Sequence, residues 1–159
     1  MLAARLLDRT ESLTAGKARE ALTAADPETK SVSRTPEQLA AAKRSAQKSW
    51  LRYHLKRRAV IEIELGGMKF YPSFQFRDGR IIGALAAINE ELASSCSDAE
   101  QADIARVLLD WWQSPHPDLP RDSDGRVRSP LDLLDEVPEG DFLAMVHETG
   151  ALSSFVVPH

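Results

Sequence analysis

The chain has 159 residues, 43% of them apolar and 28% charged, with a net charge of −4; these are ordinary values for a soluble globular protein with room for a hydrophobic core. No run of about 18 apolar residues occurs, which argues against a spanning helix, and the lone Cys96 excludes an internal disulfide and fits a reducing cytoplasm. The charge is polarised: residues 1–80 carry 16 Lys/Arg and 9 Asp/Glu, residues 81–159 carry 4 and 15, so +7 faces −11 and two different partners are expected.

In chain order, the start Met1–Asp8 holds Arg5 and Asp8 within its short apolar stretch, which reads as a helix rather than a signal peptide. Residues 1–25 are expected to form one or two short helices carrying Leu2, Leu6, Leu7, Leu13, Ala18 and Leu22. Residues 26–34 have no apolar period and read as a loop. Thr35-Pro36-Glu37-Gln38 is a helix start, with a capping Thr, Pro in the first turn and Gln38 closing a capping box. The helix that follows, to about Arg57, has an apolar stripe of Leu39, Ala42, Ala46, Trp50 and Tyr53. It is otherwise basic. Lys43, Arg44, Lys48, Arg52, Lys56, Arg57 and Arg58 follow one another with no acid between Glu37 and Glu62. Seven like charges repel, so a phosphate-contacting surface competes with a merely solvated face. A small basic region could not cover the stripe alone, which predicts self-association through it.

Ala59–Leu65 and Met68–Phe76 flank Gly66-Gly67, a hairpin signal. A two-residue loop pairs Leu65 with Met68, Glu64 with Lys69, Ile63 with Phe70 and Ile61 with Pro72. Pro72 lacks an N–H, so the second strand should lie at an edge or break there. Strict alternation through Tyr71-Pro72-Ser73-Phe74-Gln75-Phe76 would send Phe70, Phe74 and Phe76 into the core, leaving Tyr71 and Gln75 for the surface. Asp78-Gly79 closes a turn. A helix carrying Ile81, Leu85, Ile88 and Leu92 is expected next. Ser97-Asp98-Ala99-Glu100 then caps a strongly amphipathic helix with Ile104, Val107, Leu108, Trp111 and Trp112, which Pro115 and Pro117 stop. Trp111 and Trp112 are adjacent, so one is expected in the core and one at an interface. A polar, Pro-rich loop spans 114–128, Ser129-Pro130 restarts a short helix, and a last helix runs from about Asp141 to Thr149 before Gly150. The fold class predicted is mainly α with a small β-hairpin. Two parts are expected: a basic helical region at 1–58 and a hairpin plus helical domain at 59–159.

No reaction centre emerges. The four His and single Cys lack metal-ligand spacing. Asp122-Ser123-Asp124-Gly125 fails as a calcium loop, because the twelfth-position Glu would be Leu131. Gly66-Gly67 is used by the turn, and no other glycine-rich phosphate loop is present. Neither an enzyme nor a metal or organic cofactor is expected.

From the hairpin onward the order of features resembles a known family. Gly66-Gly67, Tyr71–Phe76, a helix, a Trp-bearing helix ending before Pro115, Leu119, and Ser129-Pro130-Leu131 with a short Leu-rich helix look like the toxin-binding half of bacterial antitoxins of the Xre/MbcA/ParS type. The resemblance covers about residues 60–147. It implies a cytoplasmic type II antitoxin that binds and inhibits a RES-domain toxin acting on NAD, by degradation or ADP-ribosylation. The implied toxin contacts fall on Trp111, Trp112, Pro115, Leu119, Pro130, Leu131 and Leu134, and on the C-terminal segment with Phe155. The acidic second half suits a toxin groove that attracts an anionic dinucleotide. Relatives commonly carry an N-terminal helix-turn-helix that represses their own operon. Here Leu13–Leu22 could be its first helix, but the tight turn is replaced by residues 23–35. DNA contact would then fall to Lys43, Arg44, Lys48, Arg52, Lys56, Arg57 and Arg58. The alternative is a DNA-binding transcriptional regulator without a toxin; in either case a homo-oligomer or a toxin–antitoxin hetero-oligomer is expected.

Overall fold

Gly66 and Gly67 both take positive φ (58° and 76°), the signature of a type I′ turn whose twist matches that of paired strands. They join β2 (Ile63–Leu65) to β3 (Met68–Pro72) in the register expected: Ile63↔Phe70, Glu64↔Lys69 and Leu65↔Met68. The computed structural model describes residues 11–22 and 35–154 and divides into two compact units, Met1–Ile82 and Gly83–His159. It is mainly α with a small antiparallel β element.

In the first unit β3 is the central strand, not an edge. Ser12–Thr14 forms β1, which pairs with β3 as Ser12↔Pro72, Leu13↔Tyr71 and Thr14↔Phe70, in the order β1-β3-β2. Helix was expected around Leu13. Only α1 (Ala15–Glu20) remains of it among the described residues, because long-range pairing with an open strand outweighs a weak local helical period. Residues 1–10 and 23–34 lie outside the described residues. Pro72 ends β3 as expected, and Ser73–Gln75 makes one 3-10 turn before a second hairpin, β4 (Phe76–Arg77) and β5 (Arg80–Ile81), around Asp78-Gly79.

That 3-10 turn inverts the expected facing of the aromatic stretch. Tyr71 and Gln75 are buried, whereas Phe70, Phe74 and Phe76 are only half-buried. Alternation holds only within an extended strand, and it is lost at Pro72. The expected Ile61–Pro72 pair does not form, because β2 begins at Ile63; the Gln75 amide fills that gap, its Oε1 accepting from Ile61 N (2.6 Å) and its Nε2 donating to Ile61 O and Pro72 O (both 3.1 Å). Tyr71 donates its hydroxyl to the Glu62 carboxylate. Burial, and then the Glu62 bond and charge, raise its phenol above the usual range.

The long helix α2 (Pro36–Lys56) starts with the predicted capping box, Thr35 Oγ1 accepting from Gln38 N and Gln38 Oε1 from Thr35 N. It packs on α1, and its buried residues are Gln47 and Leu51. It ends in a Schellman arrangement, with Ala59 N bonding His54 O and Arg58 N bonding Leu55 O, and Arg58 sits in the left-handed region (φ 60°). The unit boundary falls at Ile82/Gly83 rather than 58/59, since β1 ties the hairpin to the N-terminal segment. Residues 81 and 82 are uncharged, so the two units carry the same +7 and −11 as the two halves of the sequence.

The second unit is helical: α3 (Gly83–Ser95), α4 (Asp98–Gln101), α5 (Ile104–Gln113), α6 (Pro130–Leu134) and α7 (Glu139–Thr149). Ser97 caps as predicted, but the helix it opens lasts four residues. Asp103 leaves helical geometry (φ −132°, ψ 40°), and α5 begins after it; Asp is a poor helix-interior residue because its carboxylate competes for local groups, here binding Arg106 Nε at 2.6 Å. Gly150 closes α7 at φ 73°, a conformation costly for any residue with a Cβ. Among the described residues no helix is long and apolar enough to cross a membrane.

Candidate functional site

The two tryptophans of α5 are both fully buried at 0% exposure, so neither faces a partner. Their rings meet edge to face at 4.9 Å, and Trp112 stacks on Phe142 of α7 (5.8 Å, 11°). Trp112 Nε1 donates to Asn89 Oδ1 of α3 (2.8 Å), and Trp111 Nε1 donates to Ala151 O after α7 (3.3 Å). Adjacent helix positions point about 100° apart, and both can be buried because α3 lies to one side and the turn after α7 to the other. The indole pair is therefore the pin of the second unit. Burial of each ring is worth about 2–3 kcal/mol.

Of the other residues expected to meet a toxin, Leu119, Pro130 and Leu134 are also buried. Reciprocal capping by Ser129 and Asp132 fixes the short helix α6 that carries Pro130 and Leu134. Pro115 is exposed and Leu131 half-exposed. Leu131 shares the surface of α6 and its end with exposed Asp132, Asp135 and Glu136. Phe155 lies outside the described residues.

The 114–128 loop is well ordered for a polar segment. His116 is buried; it pairs with Arg128 through its backbone (N to Arg128 O, 3.0 Å) and its Nε2 meets Trp111 O at 3.1 Å. Burial holds its pKa below the usual value, against a smaller upward pull from the Trp111 carbonyl and Asp118, so the ring is neutral at pH 7 and Nε2–H donates. Asp122 spends its carboxylate on an Asx turn, accepting from Asp124 N and Arg126 N at 2.9 and 2.8 Å. No cluster of metal-ligating side chains occurs among the described residues. Arg121, Arg126 and Arg128, three of this unit's four basic residues, gather around an open polar concavity of about 650 Å³ with Asp122, Asp132 and Glu136. Arg128 is bound to Glu136 there at 2.6 Å.

In the first unit Lys43, Arg44, Lys48, Arg52, Lys56, Arg57 and Arg58 are all exposed. So is most of the expected apolar stripe: Leu39 is 38%, Trp50 42% and Tyr53 49% exposed. The face of α2 that packs inward is another one, Gln47 and Leu51 with half-buried His54 and Leu55. Two signals in the sequence went unread. One is the four-residue spacing of Arg44, Lys48, Arg52 and Lys56. The other is the pair of polar residues, Asn89 and His116, set among core positions.

Comparison with protein-family models, with curated proteins and with solved structures finds no match to this chain.

Proposed function

We propose that the protein is a type II antitoxin that neutralises a RES-domain toxin acting on NAD, with the acidic second unit as the toxin-binding part. The ordered run of features from Gly66-Gly67 to Leu134 motivates the family, and the −11 charge of residues 83–159 carries the physical argument. A groove that draws in an anionic dinucleotide is electropositive, and an acidic domain is steered to it and competes for it. The tryptophans act by holding the scaffold, while Leu131 and Pro115 are what the 114–134 segment offers at its surface. Leu131 is an apolar spot rimmed by carboxylates, a pattern suited to the centre of a small interface.

The test is co-expression of the full chain with a RES-domain toxin from the same genome. Co-purification and preserved cellular NAD are expected. Leu131→Arg should weaken capture about tenfold or more while leaving the melting temperature nearly unchanged. Truncation at residue 141 would be a poor probe, since Phe142 and Val146 are core; removing 155–159 tests the tail without cutting it. A wild-type chain that neither captures the toxin nor protects NAD sinks the reading.

A further inference from the structure

Helix α2 has three faces. One packs inward. A second is a ridge of cations, Arg44, Lys48, Arg52 and Lys56, recurring every four residues and so spaced about 6 Å along the axis while turning about 40° per step. The third is aromatic. Trp50 and Tyr53 lie 6.2 Å apart with rings inclined by 29°, and His54 meets both edge-on at 5.2 and 5.3 Å. Arg57 lies 5.3 Å over the Tyr53 ring and donates to its hydroxyl. These rings are held in place yet left 42% and 49% open to solvent. At the far side of the ridge, between α1 and α2, a groove of about 340 Å³ is lined by Arg19, Arg44 and Lys48, with Glu20 as the one acid. The Arg19 Nε there is buried without a hydrogen-bond partner among the described residues.

We propose that α2 is a binding surface for single-stranded nucleic acid, in which the Arg44–Lys56 ridge tracks the phosphates and Trp50 and Tyr53 stack unpaired bases. Charge complementarity selects the occupant: seven cations with no acid among them call for a polyanion. The half-exposed rings select the strand state, because a base within a duplex has its faces covered by its neighbours, whereas an unpaired base offers one to an aromatic ring. A second copy of the chain is disfavoured on this face, since pairing two copies sets the cations of residues 43–58 against one another. The groove lined by Arg19, Arg44 and Lys48 extends the cationic surface at the head of the ridge. The inference does not rest on toxin binding, and its test uses the chain alone.

Labelled oligo-dT and oligo-U of about 12 nucleotides are titrated against the full-length protein, following anisotropy and tryptophan emission at several salt concentrations. Binding with quenched emission is expected, with the logarithm of affinity falling linearly in the logarithm of salt. Trp50→Ala and Tyr53→Ala, both at exposed positions, should each weaken binding about tenfold at an unchanged slope. Lys48→Ala and Arg52→Ala should each reduce the slope by about 0.7. Equal or tighter binding of a duplex of the same length overturns the proposal, as does absence of oligonucleotide binding. Uptake by phosphatidylglycerol vesicles in place of the oligonucleotide overturns it too, and so does a dimer in sedimentation that Trp50→Ala dissociates.

Discussion

Gln75 shows how much one buried amide can organise. Its three hydrogen bonds satisfy the N–H and C=O of Ile61 and the C=O of Pro72, backbone groups that no ladder partner reaches. Gln75→Leu removes those partners while keeping the volume, and unsatisfied buried groups cost about 1–3 kcal/mol. The variant should lose that much stability in urea denaturation. Phe74→Ala, at a half-buried ring, should cost less; the opposite order would show that the ring, not the amide, anchors the hairpin. His116 is the residue whose protonation matters most to the second unit. Its folded pKa is lowered by burial, so between that value and the unfolded value of about 6.5 the unfolded chain binds more protons. Its contribution to stability is therefore complete above pH 6.5 and declines as pH falls below it. Urea midpoints at pH 7.5 and 5.5 should drop more for the wild type than for His116→Gln, and equal drops would place the acid sensitivity elsewhere.

At the scale of elements, local signals were read correctly wherever a side chain satisfies its own backbone. The capping boxes of Thr35, Ser97 and Ser129 form, the Gly66-Gly67 turn sets the hairpin register, and Gly150 ends α7. Each involves groups within about four residues, so no knowledge of the rest of the fold is needed. Where an element depends on a distant partner the sequence does not show it: β1 exists because β3 offers it an edge. The break of the Ser97-capped helix at Asp103 is instead a local competition hidden beneath a continuous apolar period. The C-terminus of α2 is an exception to local optimality. Arg58 occupies the left-handed position usually given to glycine, at a cost of about 1–2 kcal/mol. Arg58→Gly should therefore raise the stability of the first unit by about 0.5–1 kcal/mol, the gain being trimmed by the greater freedom of the unfolded chain. A thermal melt that falls instead would mean that the arginine makes stabilising contacts of its own.

For the whole molecule, polarity of charge and division into units coincide, with +7 on residues 1–82 and −11 on 83–159. That division was legible as a change of charge, but its place was not, since the expected border at 58/59 missed the strand pairing that carries the hairpin into the first unit. The aromatic residues divide in the same instructive way. Trp50, Trp111 and Trp112 all lie on apolar helical stripes, yet one is open and two are sealed. Helical period tells which residues share a face, not what covers that face. The sequence by itself determined the helix starts, the turn, the basic ladder and the charge division, because these arise from neighbours in the chain and from composition. Only the tertiary structure decided that Gln75 and Tyr71 are core, that Trp111 and Trp112 hold the scaffold, and that the stripe of α2 stays uncovered. Burial is a property of what packs across a face, and those partners lie tens of residues away.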